Sequence, residues 1–92
     1  MRIKVVAFAS FREIIGRERE LNLDDGATVR EVLEELARKS PRFRDAAFEE
    51  NGAVRDYVLL MVNRKRIDSQ QEQSRTLFDG DEVAVFPPLA GG

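Results

Sequence analysis

Thr28-Val29-Arg30-Glu31 opens the segment that most restricts how this 92-residue chain can fold. A threonine followed three positions later by a glutamate is a capping box, in which the two side chains satisfy N–H groups that a helix start leaves unpaired. From Val29 to about Lys39, the side chains of Val29, Val32, Leu33, Leu36 and Ala37 recur at helical spacing and form one apolar stripe. Glu34 and Arg38, and Glu35 and Lys39, stand four residues apart in the favourable order, each pair worth about 0.3–0.5 kcal/mol. Pro41 ends this helix or opens the next turn. A helix with a single apolar stripe has to bury it on another layer.

The flanking segments supply that layer. Arg2 to Ala9 alternates at first, with Ile3, Val5 and Ala7 on one face and Arg2, Lys4, Val6 and Phe8 on the other. The second face begins polar and ends apolar. Ser10 to Ile15 reads as a short helical turn closed by Gly16. Glu18 to Leu23 reads as a strand antiparallel to the first, with Leu21 and Leu23 facing in. Asp24-Asp25-Gly26 is a turn. Residues Arg42 to Glu50 read as a loose second helix packing Phe43, Ala47 and Phe48, followed by a turn at Asn51-Gly52. Tyr57 to Val62 is continuously apolar, which fits a strand buried on both sides or one with a partner face. Asn63 to Arg66 is a polar turn, Ile67 starts a short strand, and Ser69 to Ser74 is a solvated loop. Asp79-Gly80-Asp81 turns into a last strand, Glu82 to Phe86. The order is strand, strand, helix, strand, short strand, strand. This is an α+β class chain, a mixed sheet with one main helix packed on one face, in the element order of the ubiquitin-like β-grasp fold. The expectation is a single domain over residues 1–92, with 87–92 as a flexible C-terminal tail.

What the chain lacks limits its chemistry. It has no cysteine and no histidine, which removes thiolate zinc sites, cysteine nucleophiles and the commonest general base and metal ligand. Carboxylates are scattered on apparently solvated faces, and Asp24, Asp25, Asp79 and Asp81 read as turn residues. A self-contained enzyme is therefore not expected, nor a stably bound cofactor or metal. The net charge is −2 with the signs interleaved, where nucleic-acid binding wants a basic stripe. No apolar run approaches the roughly 20 residues of a membrane helix. The N-terminal residues read as a short strand and not as a signal peptide, so a cytoplasmic location is the default expectation.

The reactive group is expected at the other end. Pro87-Pro88-Leu89-Ala90-Gly91-Gly92 follows the apolar segment Val83 to Phe86. The prolines cannot donate backbone hydrogen bonds, so strand pairing stops, and they favour an extended segment. The slim tail fits a narrow channel and presents its terminal carboxylate there.

The block Asp79-Gly80-Asp81-Glu82-Val83-Ala84-Val85-Phe86-Pro87-Pro88-Leu89-Ala90-Gly91-Gly92 resembles the ending "DGDEVAFFPPVxGG" of the MoaD/ThiS family of sulfur carriers. The start, Ile3 to Ala9 with Phe11-Arg12-Glu13-Ile14-Ile15-Gly16, is similar to that family's "IKVLFFA…RELVG". The segment from about Arg42 to Asp56 departs from the bacterial forms and resembles the archaeal small modifier proteins, which share the fold and the ending.

The resemblance implies a mechanism. A ubiquitin-activating-type enzyme would use ATP to adenylate the Gly92 carboxylate, and a persulfide would convert the acyl-adenylate to a thiocarboxylate. The sulfur would pass to a precursor pterin in the large subunit of molybdopterin synthase, for a molybdenum or tungsten cofactor. The alternative is a modifier joined through Gly92 to lysines of target proteins. Gly91 suits the channel because glycine adopts dihedrals other residues avoid. The resemblance also implies a docking face for partners. In a β-grasp sheet the first and last strands are parallel neighbours, so Phe8 and Phe86 would form an apolar patch on the face away from the helix. Pro87, Pro88, Leu89, Ala90 and Gly91 would extend the contact. The competing reading folds the Arg42–Glu50 segment over Phe8 and Phe86 as core.

Overall fold

The computed structural model describes residues 1–87. Along them run β1 (Arg2–Ala7), α1 (Ala9–Ile15), β2 (Glu18–Asn22), α2 (Val29–Lys39), α3 (Pro41–Ala47), β3 (Leu59–Val62), β4 (Lys65–Ile67) and β5 (Glu82–Phe86). The five strands form one sheet in the order β2-β1-β5-β3-β4. β1 and β5 are parallel, and the other neighbours are antiparallel. The arrangement is the mixed β-grasp sheet that the element order implies.

The stripe of α2 lies on this sheet: Val29, Val32, Leu33, Leu36 and Ala37 are all buried. Against it stand Ile3, Val5 and Ala7 of β1, Leu21 of β2, Leu60 and Val62 of β3, and Val83 and Val85 of β5. Each fully buried Val, Leu or Ile among them contributes about 1.5–3 kcal/mol, so the helix–sheet layer is the main source of stability. α3 is an ordered part of the same layer. Ser40 closes α2 and caps α3, its hydroxyl accepting from the Phe43 N–H at 3.2 Å, with Pro41 in the first turn. Phe43 is fully buried and meets Phe11 of α1 at 5.1 Å between centroids.

Several local expectations need correction. The Thr28 hydroxyl caps the Glu31 N–H at 3.3 Å, but the N–H groups of Val29 and Arg30 donate to the carbonyls of Arg75 and Gln73, at 3.0 and 2.8 Å. The stretch from Ser69 to Ser74 is therefore not simply solvated: it covers the start of α2, and Ser69 is buried. Glu34 pairs with Arg30 at 3.1 Å, which frees Arg38 to pair with Glu35 at 2.7 Å, so the Glu34–Arg38 pair does not form. β3 begins only at Leu59, because the Val58 N–H closes a turn onto the Arg55 carbonyl at 3.1 Å, and its alternating burial fits the second of the two readings, a strand with one half-exposed face. Pro87, expected as the first residue of a free tail, is buried and belongs to the body.

The turn expected over Asn63 to Arg66 is Asn63-Arg64 alone, because Lys65 and Arg66 already pair with Val62 and Met61 in β4, which ends and does not start at Ile67. Asn63 and Arg64 both have positive φ, 50° and 69°, as a two-residue type I′ hairpin loop requires between β3 and β4. Gly80 has φ 88° in the turn before β5. There Asp81 accepts from the Phe78 N–H at 2.8 Å and from the Asn63 amide at 2.9 Å, while Asp79 accepts from the Arg2 N–H at 2.7 Å. These carboxylates hold the entry to β5.

Candidate functional site

The face of the sheet away from α2 carries the candidate docking surface. Its composition follows from strand register. Lys4 pairs with Glu82 and Val6 with Ala84, and the next outward residues along β1 and β5 are Phe8 and Phe86. On the other side of β5, Ala84 pairs with Met61 and Phe86 with Leu59. The face therefore runs from charged at the start of β1 and β5 to apolar at their ends.

At the apolar end the rings of Phe8 and Phe86 stack, with centroids 4.3 Å apart and planes 6° from parallel. Both are half-buried, as are Val6, Leu59 and Met61. The Phe8 N–H donates to the Val85 carbonyl at 3.2 Å, which prolongs the parallel pairing by one residue. Directly after it, Ala9 adopts a left-handed φ of 52°, and the chain swings from strand into α1. This brings Arg12 back over Phe8, its guanidinium 5.5 Å from the ring centroid and its Nε donating to the Ala7 carbonyl at 3.2 Å. α3 packs on the helix side, so the segment from Arg42 to Glu50 does not fold over the two rings.

At the charged end, Lys4 Nζ sits 3.1 Å from Glu18 and 3.6 Å from Glu82. Contact with Glu18 first, then Glu82, pushes the Lys4 ammonium above its ordinary range. Arg64 reaches the other oxygen of Glu82 at 3.6 Å.

Of the residues expected at the site from sequence, Phe8 and Phe86 stand together on the open face, and Pro87 is buried beside the end of β5. Pro88, Leu89, Ala90, Gly91 and Gly92 lie outside the described residues. Sequence reasoning missed Leu59, Met61 and Arg12. Arg12 stands four residues from Phe8, a usable signal; Leu59 and Met61 join the patch only through the β5–β3 register. Phe78, 69% exposed beside the turn into β5, is not among the residues that line this patch.

Among the described residues there is no group of three or more histidine, cysteine or acidic side chains able to hold a metal ion. No helix among them is long and apolar enough to cross a membrane. Among the described residues, no buried side-chain nitrogen or oxygen lacks a hydrogen-bond partner. The arrangement is a half-exposed apolar patch with charged side chains at its other end, and it adjoins Pro87, the last described residue.

A model of the ThiS family matches residues 5–92. The chain is 34% identical over 93 residues to small archaeal modifier protein 3 of Haloferax volcanii, covering 100% of both chains. It is 36% identical over 90 residues to the molybdopterin synthase sulfur carrier subunit of Escherichia coli, covering 98% of this chain and 99% of that one. The crystal structure of SAMP1 from Haloferax volcanii matches it with a TM-score of 0.89 at 27% identity, over 100% of each chain. With a family match that runs from Val5, within β1, to the last residue and two full-length relatives above 30% identity, the chain belongs to the ThiS family.

Proposed function

We propose that this chain is a sulfur carrier for molybdopterin biosynthesis whose working group is the Gly92 carboxylate. A carboxylate is a poor electrophile until one oxygen becomes a good leaving group. Adenylation by a ubiquitin-activating-type partner, with ATP as its substrate, supplies that leaving group. A persulfide carried by a partner then displaces AMP to give an acyl disulfide. A second thiol cleaves that bond, ending as a disulfide with the persulfide's inner sulfur and releasing the thiocarboxylate, which is spent inside the large subunit of a molybdopterin synthase. Glycine leaves the carbonyl carbon sterically open, and the partners bring the catalytic side chains that this chain lacks. Both steps belong in the cytoplasm, where ATP is available to the activating enzyme.

The observation that carries this reading is the 36% identity to the Escherichia coli sulfur carrier subunit over nearly all of both chains. The fold supports it. β5 lies between β1 and β3 and delivers the chain past an apolar patch to Pro87, so a partner gripping that patch sits at the base of the tail. A second reading, a modifier conjugated through Gly92 to lysines of other proteins, is favoured by the 34% full-length identity to small archaeal modifier protein 3. The two share the activation step.

The test is the intact mass of the protein isolated from its native cells, with peptide mapping of its C-terminus. One oxygen of Gly92 replaced by sulfur supports the carrier. Gly92 joined to lysines of other proteins supports the modifier. A plain carboxylate that stays unchanged with the activating enzyme and ATP would overturn both. Deleting Gly92 is expected to abolish activation.

A further inference from the structure

The open face is basic on a chain that is acidic. The net charge is −2, yet the shallow cleft around Val6, Phe8, Ala84 and Phe86 is lined by four cationic side chains, Lys4, Arg12, Arg17 and Arg64, against two carboxylates, Glu18 and Glu82. Those two carboxylates are already engaged, Glu18 by Lys4 and Glu82 by Lys4 and Arg64. Among the described residues, no carboxylate lies within ion-pair distance of Arg12 or Arg17. Arg12 spends its Nε on the Ala7 carbonyl and its flat face on Phe8. Its two terminal nitrogens have no acceptor among the described residues.

We propose that this face selects a partner protein whose surface carries carboxylates around an apolar projection, and that Arg12 and Arg17 read those carboxylates. The projection meets the edges of Phe8 and Phe86, and the guanidiniums meet the rim. An apolar centre with a polar rim is the anatomy of a protein interface. A polyanionic strand would need a continuous basic track, which Glu18 and Glu82 interrupt. Rim charges of this kind act mainly on encounter rate and partner choice, and they are screened by salt over about 8–10 Å. The inference rests on the proposed activation, which supplies the partner for its test.

The test is ATP–pyrophosphate exchange by the cognate adenylating enzyme, with the full chain as the varied substrate at low and high salt. The KM of the native chain is expected to rise with salt. Arg12→Gln with Arg17→Gln is expected to raise KM about five- to tenfold at low salt and flatten the salt response, with kcat unchanged. Arg12→Lys with Arg17→Lys, which keeps both charges, should restore the salt slope. Arg42→Gln with Arg75→Gln, both exposed and away from the cleft, should behave as the native chain. A native KM that ignores salt, or a doubly neutralised variant with native KM and slope, would overturn the inference and leave the carrier function standing. A native chain that supports no exchange would overturn both.

Discussion

Phe8 and Phe86 stack almost plane to plane, with centroids 4.3 Å apart, where the parallel strands β1 and β5 end. Ring quadrupoles prefer offset or edge-to-face arrangements at about 4.5–7 Å. The closer approach follows from the backbone, because neighbouring strands lie about 4.7–4.9 Å apart and in-register side chains stand side by side. Arg12 adds a cation on the far face of Phe8. The pair therefore holds its edges toward solvent in a fixed orientation, which suits an anchor for a partner.

Phe8→Ala and Phe86→Ala are each expected to lose about 1–2 kcal/mol, less than the 3–5 kcal/mol of a fully buried phenylalanine, because both rings are half-exposed. In a double-mutant cycle by urea unfolding, the coupling between them should be about 0.5–1.5 kcal/mol. A coupling near zero would mean that the backbone alone places the rings.

Phe43 and Phe78 make an opposed pair. Phe43 is fully buried against Phe11, so Phe43→Ala should cost about 3–5 kcal/mol. Phe78 is 69% exposed, and Phe78→Ala should stay within about 0.5 kcal/mol of the native chain. Denaturant midpoints of the two variants check both numbers. A small effect at Phe43 would detach α3 from the core.

Arg64 stands in the left-handed region at φ 69°. A non-glycine residue there costs about 1–2 kcal/mol, while a glycine loosens the unfolded chain by about 0.4–1 kcal/mol. Relief outweighs loosening, and Asn-Gly is the preferred type I′ pair. Arg64→Gly should therefore raise the melting temperature, even though it gives up an ion pair to Glu82 in which the arginine side chain is 85% exposed.

Acid sensitivity has identifiable sources. The Gln71 N–H first, then the Gln70 N–H, hold the Asp68 carboxyl below its usual range, and Arg38 does the same for Glu35. A carboxylate with a lowered folded pKa adds stability above its unfolded pKa and loses it as pH falls through the folded value. With no histidine in the chain, stability should be nearly level from about pH 5 to 7 and decline below about pH 4. Glu35→Gln with Asp68→Asn should make that decline shallower in thermal melts across the acid range. An unchanged acid limb would place the sensitivity in other carboxylates.

Much of this was legible from local pattern. The Thr28 cap, the α2 stripe, the alternation of β1 and the turn at Asp79-Gly80-Asp81 are each written within a few neighbouring residues, and the structure carries them all. What failed to show depended on distant partners. Glu34 had two arginines within reach, and only the folded helix chooses Arg30. The loop from Ser69 to Ser74 looks solvated until its backbone meets the start of α2 across the chain. Tyr57 reads as strand because it is aromatic and precedes an apolar run, yet it turns outward and donates its hydroxyl to the Ala46 carbonyl at 3.1 Å. The patch was half legible: Phe8 and Phe86 follow from strand parity, while Leu59 and Met61 need the sheet order.

The central place of β5 also has a mechanical meaning. A pull on the C-terminus runs along a strand bonded on one side to parallel β1 and on the other to antiparallel β3. The load falls along the strand axis, across both ladders at once, and must shear them together instead of peeling them bond by bond. A load carried along β5 is thus resisted by both ladders, and the lifetime of the fold under such tension is a matter of its unfolding rate.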